Sequence, residues 1–245
     1  MNIAVIFAGG VGSRMNSKDA KPKQFLEMHG KPIIIHTLEV FEMHPEIDAI
    51  VISCKKEWIS YLQKLIVRYG IKKVRNIVEG GETGQISIYN ALVAAKSIVT
   101  DEKSIVLIHD GVRPLITPKT ITDNIKSVIS NGSAITSVKV KETVLVVEED
   151  NSISYIPSRT NSRLARAPQS FWIDDILNLH YKALEEGIND FIDSCSMMQY
   201  YKKKLFLVEG PEENIKITTP EDLYIMRALL DARENAQIYG CEDNK

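Results

Sequence analysis

Short, continuous apolar runs alternate along this chain with longer stretches in which apolar positions recur three and four residues apart. Continuous runs bounded by polar clusters read as strands buried on both faces, and the longer recurrence reads as amphipathic helix. Ile3–Phe7 is the first strand, and a glycine-rich break separates it from a helix over Pro32–Glu42. Strand Ala49–Cys54 follows, then helix Glu57–Tyr69 closed by Gly70, strand Val74–Val78 and helix Gln85–Ser97. Strand Ser104–His109 and helix Ile121–Ser130 continue the alternation. The pattern predicts an α/β, Rossmann-like fold, a mostly parallel sheet flanked by helices on both faces.

From residue 133 the rhythm changes. Ser133–Val140, Thr143–Val147 and Ser152–Ile156 are β-like runs in close succession, with Glu148-Glu149-Asp150-Asn151 as a polar hairpin turn. A hairpin this late in an α/β chain reads as a protruding β-arm at about 138–160, and an arm suited to pairing with a second copy predicts a homodimer. The extended run Gln169–Trp172, helices Asp174–Glu186 and Ile192–Tyr200, and strand Leu205–Val208 come next. A last helix begins at Thr219, with Pro220 in its first position and Glu221 and Asp222 in its first turn. Residues 1–235 read as one domain and 236–245 as a frayed tail.

Composition narrows the function. The 245 residues are 44% hydrophobic and 25% charged, ordinary values for a globular domain. A formal net charge of −2 offers no basic field for nucleic acid, so any role for the cations is local. Three widely spaced cysteines (Cys54, Cys195, Cys241) form no CxxC metal motif and fit a reducing compartment. No apolar run approaches the roughly 20 residues that span a bilayer, and the first apolar run is too short for a signal-peptide core. The expectation is a soluble cytoplasmic protein.

The chemistry concentrates after the first strand, in AGGVGSRMNSKDAKPKQF at residues 8–25. Glycines at 9, 10 and 12 let backbone N–H groups face a ligand that approaches closely, and Arg14, Lys21 and Lys23 supply positive charge. That combination suits a polyanion such as a nucleoside triphosphate. A Walker A loop is absent, and the dinucleotide fingerprint fails because the second strand ends in Lys55-Lys56 rather than a ribose-binding carboxylate. Ligands of open parallel sheets bind at the carboxyl ends of strands. There the chain also places Gly80, Gly81 and Glu82 with Ser87, then Asp110 with Arg113, and Asn214-Ile215-Lys216 late in the chain. Each has a plain structural reading: a loop, an ion-paired turn, a solvated lysine.

AGGxGxRM at 8–15, PKQF at 22–25, the GG at 80–81 with Ser87, HDGVRP at 109–114, APQSF at 167–171 and NIKITTPEDL at 214–223 occur in this order. Together they resemble the cytidylyltransferases of methylerythritol phosphate and ribitol 5-phosphate, over about residues 2–235. The resemblance implies CTP and a polyol phosphate as substrates, Mg²⁺ as cofactor, and no nucleic-acid or membrane partner. It implies that Ala8, Gly9, Gly10, Gly12, Gly81, Glu82 and Ser87 hold the nucleotide. Arg14, Lys23 and Lys216 would be the catalytic cations, and Asp110 would lie near both the metal and the acceptor, with Arg113 bracing its loop. Thr143 and Arg159 on the arm would reach the acceptor, in the partner subunit's site.

Two departures stand out: Glu82-Thr83-Gly84-Gln85 replaces an acidic residue and arginine after the GG, and Ala167 stands where the family has threonine. Val112, Ile156-Pro157-Ser158-Arg159 and Asp193-Ser194-Cys195 resemble the ribitol branch more than the methylerythritol branch, and an arm carrying Arg159, Arg163 and Arg166 suits either acceptor. A phosphate monoester is already anionic at neutral pH and attacks without a general base, which agrees with five scattered histidines and no Ser-His-Asp or Cys-His pattern. His36 reads as structural and His109 as orienting the Asp110 loop. A nucleotide-binding regulator without catalysis conflicts with the intact cations. A nucleotide-sugar glycosyltransferase would normally carry a DxD-like motif.

Overall fold

The computed structural model describes residues 1–9, 21–99 and 103–239. In chain order its elements are β1 (Asn2–Ala8), the two-residue strands β2 (Glu27–Met28) and β3 (Lys31–Pro32), α1 (Ile33–Met43), β4 (Ala49–Cys54) and α2 (Lys56–Arg68). Next come β5 (Val74–Glu79), α3 (Gly84–Ser97), β6 (Ile105–Asp110), α4 (Pro118–Asn131) and β7 (Ser133–Lys139). The arm holds β8 (Val146–Val147) and β9 (Ile153–Tyr155), and β10 (Arg163–Trp172) returns to the sheet. The chain closes with α5 (Ile173–Glu185), α6 (Ser194–Tyr200), β11 (Leu207–Glu209) and α7 (Pro220–Tyr239).

The main sheet has the order β11-β7-β10-β6-β1-β4-β5. β6, β1, β4 and β5 run parallel, as do β7 and β11, while β10 is antiparallel to both its neighbours. The central strands are apolar throughout because both faces are covered. Ala4, Ile6, Ile50, Ile52, Ile105 and Leu107 point into one core with residues of α1, α2 and α4. Their neighbours Ile3, Val5, Ala49, Val51, Val106 and Ile108 point into the other, with α3, α5 and α6. This is the alternation of a pleated strand, doubled by a second hydrophobic layer.

Local signals set most boundaries. Thr83 and Thr117 cap α3 and α4 through side-chain oxygens that accept from Ile86 N and Thr120 N. α6 starts at Ser194 rather than Ile192 because Asp193 accepts from Ser196 N in a capping box. At α7, Thr218 N and Thr219 N donate to Asp222 Oδ2, both at 2.8 Å, and Asp222 N donates to Thr219 Oγ1, the start expected from the sequence. α7 runs on to Tyr239, into the stretch read as a tail, since no helix breaker precedes Gly240. Residues 240–245 lie outside the described residues.

Strands of the arm, β10 and the β2–β3 ribbon also depart from the sequence reading, and α4 starts at Pro118, three residues before Ile121. Regular pairing in the arm shrinks to β8 and β9, because Thr143 and its neighbours are exposed and only Val146–Val147 face a partner strand. β10 begins at Arg163, well before Gln169, because Arg163–Ala165 already pair with β7. β2 and β3 form an unanticipated ribbon whose turn, His29-Gly30, takes φ 49° and 71°. The ribbon packs through Met28 with Ile33, Val112, Leu115, Ile217 and Met226, a third core that seats α7. His29 adds a polar staple, its two ring nitrogens meeting Asp231 at 3.1 Å and Glu234 at 3.3 Å. No helix among the described residues is long and apolar enough to cross a membrane.

Candidate active site

β1 ends at buried Ala8, whose carbonyl accepts from Gln24 Nε2 at 2.6 Å. Gln24 is itself buried, and the next residue, Phe25, stacks on Trp58 at 5.1 Å and meets Tyr61 edge-on at 5.3 Å. The PKQF motif is therefore an anchor. Gln24 and Phe25 fasten the chain beneath the sheet edge, and Lys23, in a short 3₁₀ turn over Lys23–Phe25, stays half-buried beside them. Gly10, Gly12 and Arg14 lie outside the described residues.

Gly9, Gly80 and Ser87 converge without room for another atom. A Cβ on Gly9 would come within 3.0 Å of Ser87 Oγ, and one on Gly80 within 3.1 Å of the same oxygen. Gly81 N donates to Ser87 Oγ at 3.0 Å, and Ser87 Oγ donates to Thr83 O at 2.9 Å. A Cβ on Gly81 would lie 2.1 Å from Ile86 Cγ2, so glycine is required by contact at this position. Glu82 follows on the same turn and is exposed.

The residues that depart from the family pattern have structural work here. Thr83, besides capping α3, donates from Oγ1 to Asn189 O at 2.5 Å. Buried Gln85 donates to Ile188 O and accepts from Phe191 N, both at 2.9 Å. On the far side Gln169 donates to Asp193 Oδ2 and accepts from Cys195 N, both at 2.8 Å. The segment from 188 to 195 is thus pinned at both ends as one wall of the cleft.

β6 delivers the charged centre. Asp110 is buried, with Oδ2 accepting from Arg113 Nε at 2.7 Å and Oδ1 paired with Lys216 Nζ at 2.5 Å. Burial opposes its ionisation, but Arg113 and then Lys216 outweigh that and hold its pKa at about 2. Arg113 also donates from Nη1 to Asn214 O, and Asn214 Nδ2 donates to Ala167 O, each at 2.9 Å. His109 Nε2 donates to Arg113 O at 3.1 Å, closing the turn as the sequence suggested. Burial drives the His109 pKa down to about 4, so the imidazole is neutral near pH 7. The motifs at 109–114, 167–171 and 214–223 are one hydrogen-bonded unit.

This unit opens on a cavity of about 300 Å³. Its walls include Asp110, Arg113 and Lys216, with Gly84, Ile88 and Phe7 on one side and Arg166, Ala167 and Gln169 on another. Ile192, Asp193 and Ser194 close a third side. Of the residues singled out from sequence, Ala8, Gly9, Gly81 and Ser87 gather at the adjoining strand ends, and Asp110, Arg113 and Lys216 meet directly. Thr143 and Arg159 are exposed on the arm, outside the described cavity lining, with Arg159 Nη1 3.4 Å from Lys141 O. Phe7, Gln24 and Ile192 were not singled out. Gln24 had a signal within PKQF, whereas Phe7 and Ile192 looked like ordinary apolar positions.

Residues 2–232 match the family described as IspD, 2-C-methyl-D-erythritol 4-phosphate cytidylyltransferase. The chain is 55% identical over 240 residues to a ribitol-5-phosphate cytidylyltransferase of Streptococcus agalactiae serotype III, covering 98% of this chain and 100% of that protein. It is 39% identical over 231 residues to a 2-C-methyl-D-erythritol 4-phosphate cytidylyltransferase of Clostridium novyi, covering 94% of this chain and 96% of that protein. A solved 4-diphosphocytidyl-2C-methyl-D-erythritol synthase from Anaerococcus prevotii superposes with a TM-score of 0.81 at 27% identity, covering 94% of this chain and 96% of that one.

Proposed function

The chain belongs to the IspD cytidylyltransferase family, and from that premise we propose that it transfers CMP from CTP to D-ribitol 5-phosphate, giving CDP-ribitol and pyrophosphate. The observation that carries the reading is the buried Asp110 carboxylate holding Arg113 and Lys216 at the mouth of a cavity beside the glycine turns of β1 and β5. The 55% identity to a protein named for ribitol 5-phosphate, against 39% to one named for methylerythritol phosphate, favours the pentitol acceptor.

In this reading Ala8, Gly9, Gly81 and Ser87, with Gly10, Gly12 and Glu82, cradle the cytosine and ribose. Lys23 and Arg14 take the triphosphate. The acceptor's phosphate oxygen attacks the α-phosphorus of CTP, a new P–O bond forms, and the bond to the β-phosphate oxygen breaks as pyrophosphate departs. The attacking group is already anionic, so no base is needed. Among the described histidines, His109 and His180 are buried and driven down to about 4, and His36 is also lowered, first by burial. Catalysis then consists of positioning and charge neutralisation by Lys23, Arg14 and Lys216.

A divalent cation, Mg²⁺ in this proposal, fits the donor set. Asp110 contributes one carboxylate with a second lone pair on each oxygen, and Mg²⁺ is commonly held by one carboxylate together with substrate phosphates. When bound, the ion would offset charge on the phosphates during transfer.

The arm supports a homodimer: Val147, Ile153, Tyr155 and Ile156 are each more than half exposed on its short ribbon. Thr143 and Arg159 would then serve the partner's acceptor site. A reaction drawing on CTP belongs in the cytoplasm.

The test is pyrophosphate release with CTP and Mg²⁺, offering ribitol 5-phosphate and methylerythritol 4-phosphate in parallel. Turnover with ribitol 5-phosphate is expected. Turnover with methylerythritol 4-phosphate alone would move the chain to the other branch, and silence with both would overturn the acceptor class. Light scattering should give the mass of a dimer, reduced by Tyr155→Glu; a monomeric mass overturns the arm's role.

A further inference from the structure

Arg166 lies in the stretch of β10 between Ala165 and Gln169 where the pairing register to β7 shifts. Its side chain lines two spaces: the central cavity, and a second, more apolar one of about 360 Å³ at the base of the arm. Nε is buried, and among the described residues it has no hydrogen-bond partner. A guanidinium offers five N–H donors in a rigid fork and accepts nothing, so a half-buried one whose Nε has no hydrogen bond has room for an anion.

Among the described residues, the nearby carboxylates already have cationic or hydrogen-bonding partners of their own. Asp110 is shared by Arg113 and Lys216. Asp193 accepts from Ser196 N and Gln169 Nε2. Glu212, which borders the arm-side space, is ion-paired with Lys141. Burial and then repulsion from Arg113 both weaken the hold of Arg166 on its proton, and Glu212 partly restores it.

Strand order indicates which anion belongs there. The glycine turns follow β1 and β5, and Lys216 meets Asp110 at the end of β6. β10 lies on the other side of β6, toward the arm. A nucleotide held by the glycine turns brings its α-phosphate toward Lys216. In this reading the acceptor phosphate, which attacks opposite the departing pyrophosphate, lies on the β10 side of the same cavity, which Arg166 lines. Ala167 next to it has only a methyl side chain, so the donor here comes from Arg166. We infer that Arg166 grips the phosphate of the acceptor polyol phosphate at the junction of the two cavities. The inference rests on the cytidylyl-transfer reading above.

Steady-state kinetics of Arg166→Met and Arg166→Lys test it, varying acceptor at saturating CTP and then CTP at saturating acceptor. The whole chain is used, with whichever polyol phosphate the wild type turns over. R166M should raise the acceptor KM ten- to hundredfold and leave the CTP KM within about twofold, since a charged hydrogen bond is lost from one substrate only. R166K, which keeps the charge but loses the fork, should recover part of the loss. An unchanged acceptor KM, or a CTP KM rising in step with it, overturns the assignment. Wild-type protein gives an arm independent of folding: phenylglyoxal labelling of Arg166, read by mass spectrometry, should be suppressed by the acceptor and not by CTP alone. Labelling that the acceptor leaves unchanged also overturns it. Failure of the underlying function would show beforehand, as wild-type silence with both acceptors.

Discussion

The Lys216 ammonium stands 2.5 Å from Asp110 Oδ1, while Arg113 holds Oδ2 of the same carboxylate at 2.7 Å. Arg113 and Asp110 are nearly enclosed, whereas the Lys216 side chain is 38% exposed. The carboxylate is thus fixed from within by one cation and holds the other at the cavity wall. Lys216 is kept in place by the fold yet remains within reach of a phosphate.

This arrangement separates stability from catalysis. Asp110→Asn leaves the Arg113 guanidinium buried without a charge partner and should cost about 3–5 kcal/mol of stability in addition to activity. Lys216→Met leaves the Asp110–Arg113 pair intact and should lose most turnover with a small change in melting temperature. The acid dependence has a definite sign. Asp110 falls from an ordinary 3.8 to about 2, so its contribution is fully present above 3.8 and is lost as the pH falls through 2. Urea melts should show the gap between wild type and D110N narrowing between about pH 4 and pH 2; a constant gap would refute this.

Lys23→Ala should lower kcat by about a hundred- to a thousandfold, the usual cost of removing one transition-state charge contact. Its melting temperature should change little, because the buried Gln24 and Phe25 anchor the turn. Arg14→Ala should behave alike. Near-wild-type rates in both would remove the triphosphate role.

Gly81→Ala places a methyl 2.1 Å from Ile86 Cγ2 and 3.2 Å from the backbone carbon of Ile86. The turn must shift, with a loss of about 1–3 kcal/mol in stability. Because Gly81 N bonds Ser87 Oγ, the CTP KM should rise more than the acceptor KM. Equal changes in both would argue against a nucleotide-side role for this turn.

His180 is buried in α5 with both ring nitrogens lacking a partner among the described residues, and burial drops its pKa from 6.5 to about 4. In the unfolded chain it binds a proton below about 6.5, whereas in the folded chain it resists until about 4. Stability is therefore full above pH 6.5 and falls as the pH drops toward 4, by about 3 kcal/mol for one such group. His180→Phe should flatten that slope without lowering stability at pH 7.5. His109, also at about 4, should supply the slope that remains. An unchanged pH profile in H180F would show that His180 is not shielded as described.

The sheet and its helices were legible because burial on both faces leaves a plain mark. Ile3–Ile6, Ala49–Cys54 and Ile105–Ile108 are unbroken apolar or small runs that no solvent-facing element would tolerate. The cap at Thr219-Pro220 marked a helix start for local reasons, whereas the Thr117-Pro118 cap, which begins α4 three residues before Ile121, went unread. β10 was half missed because Arg163 to Ala165 read as part of a loop until β7 offers them a ladder.

Sequence alone also determined the residue types of the site: glycines where backbone must pack on Ser87 and Ile86, and cations beyond them, since contact and charge are properties of side chains. It set the order of the motifs and therefore the family. Tertiary structure decided which of those residues touch. Arg113, Asn214 and Ala167 become neighbours only because β10 inserts antiparallel beside β6. Gln85 reaches across to 188 and 191 only because α3 and α5 share one face of the sheet. The isolation of the Arg166 Nε followed from the same packing, because an unpaired buried group is defined by everything around it, and no local pattern encodes that.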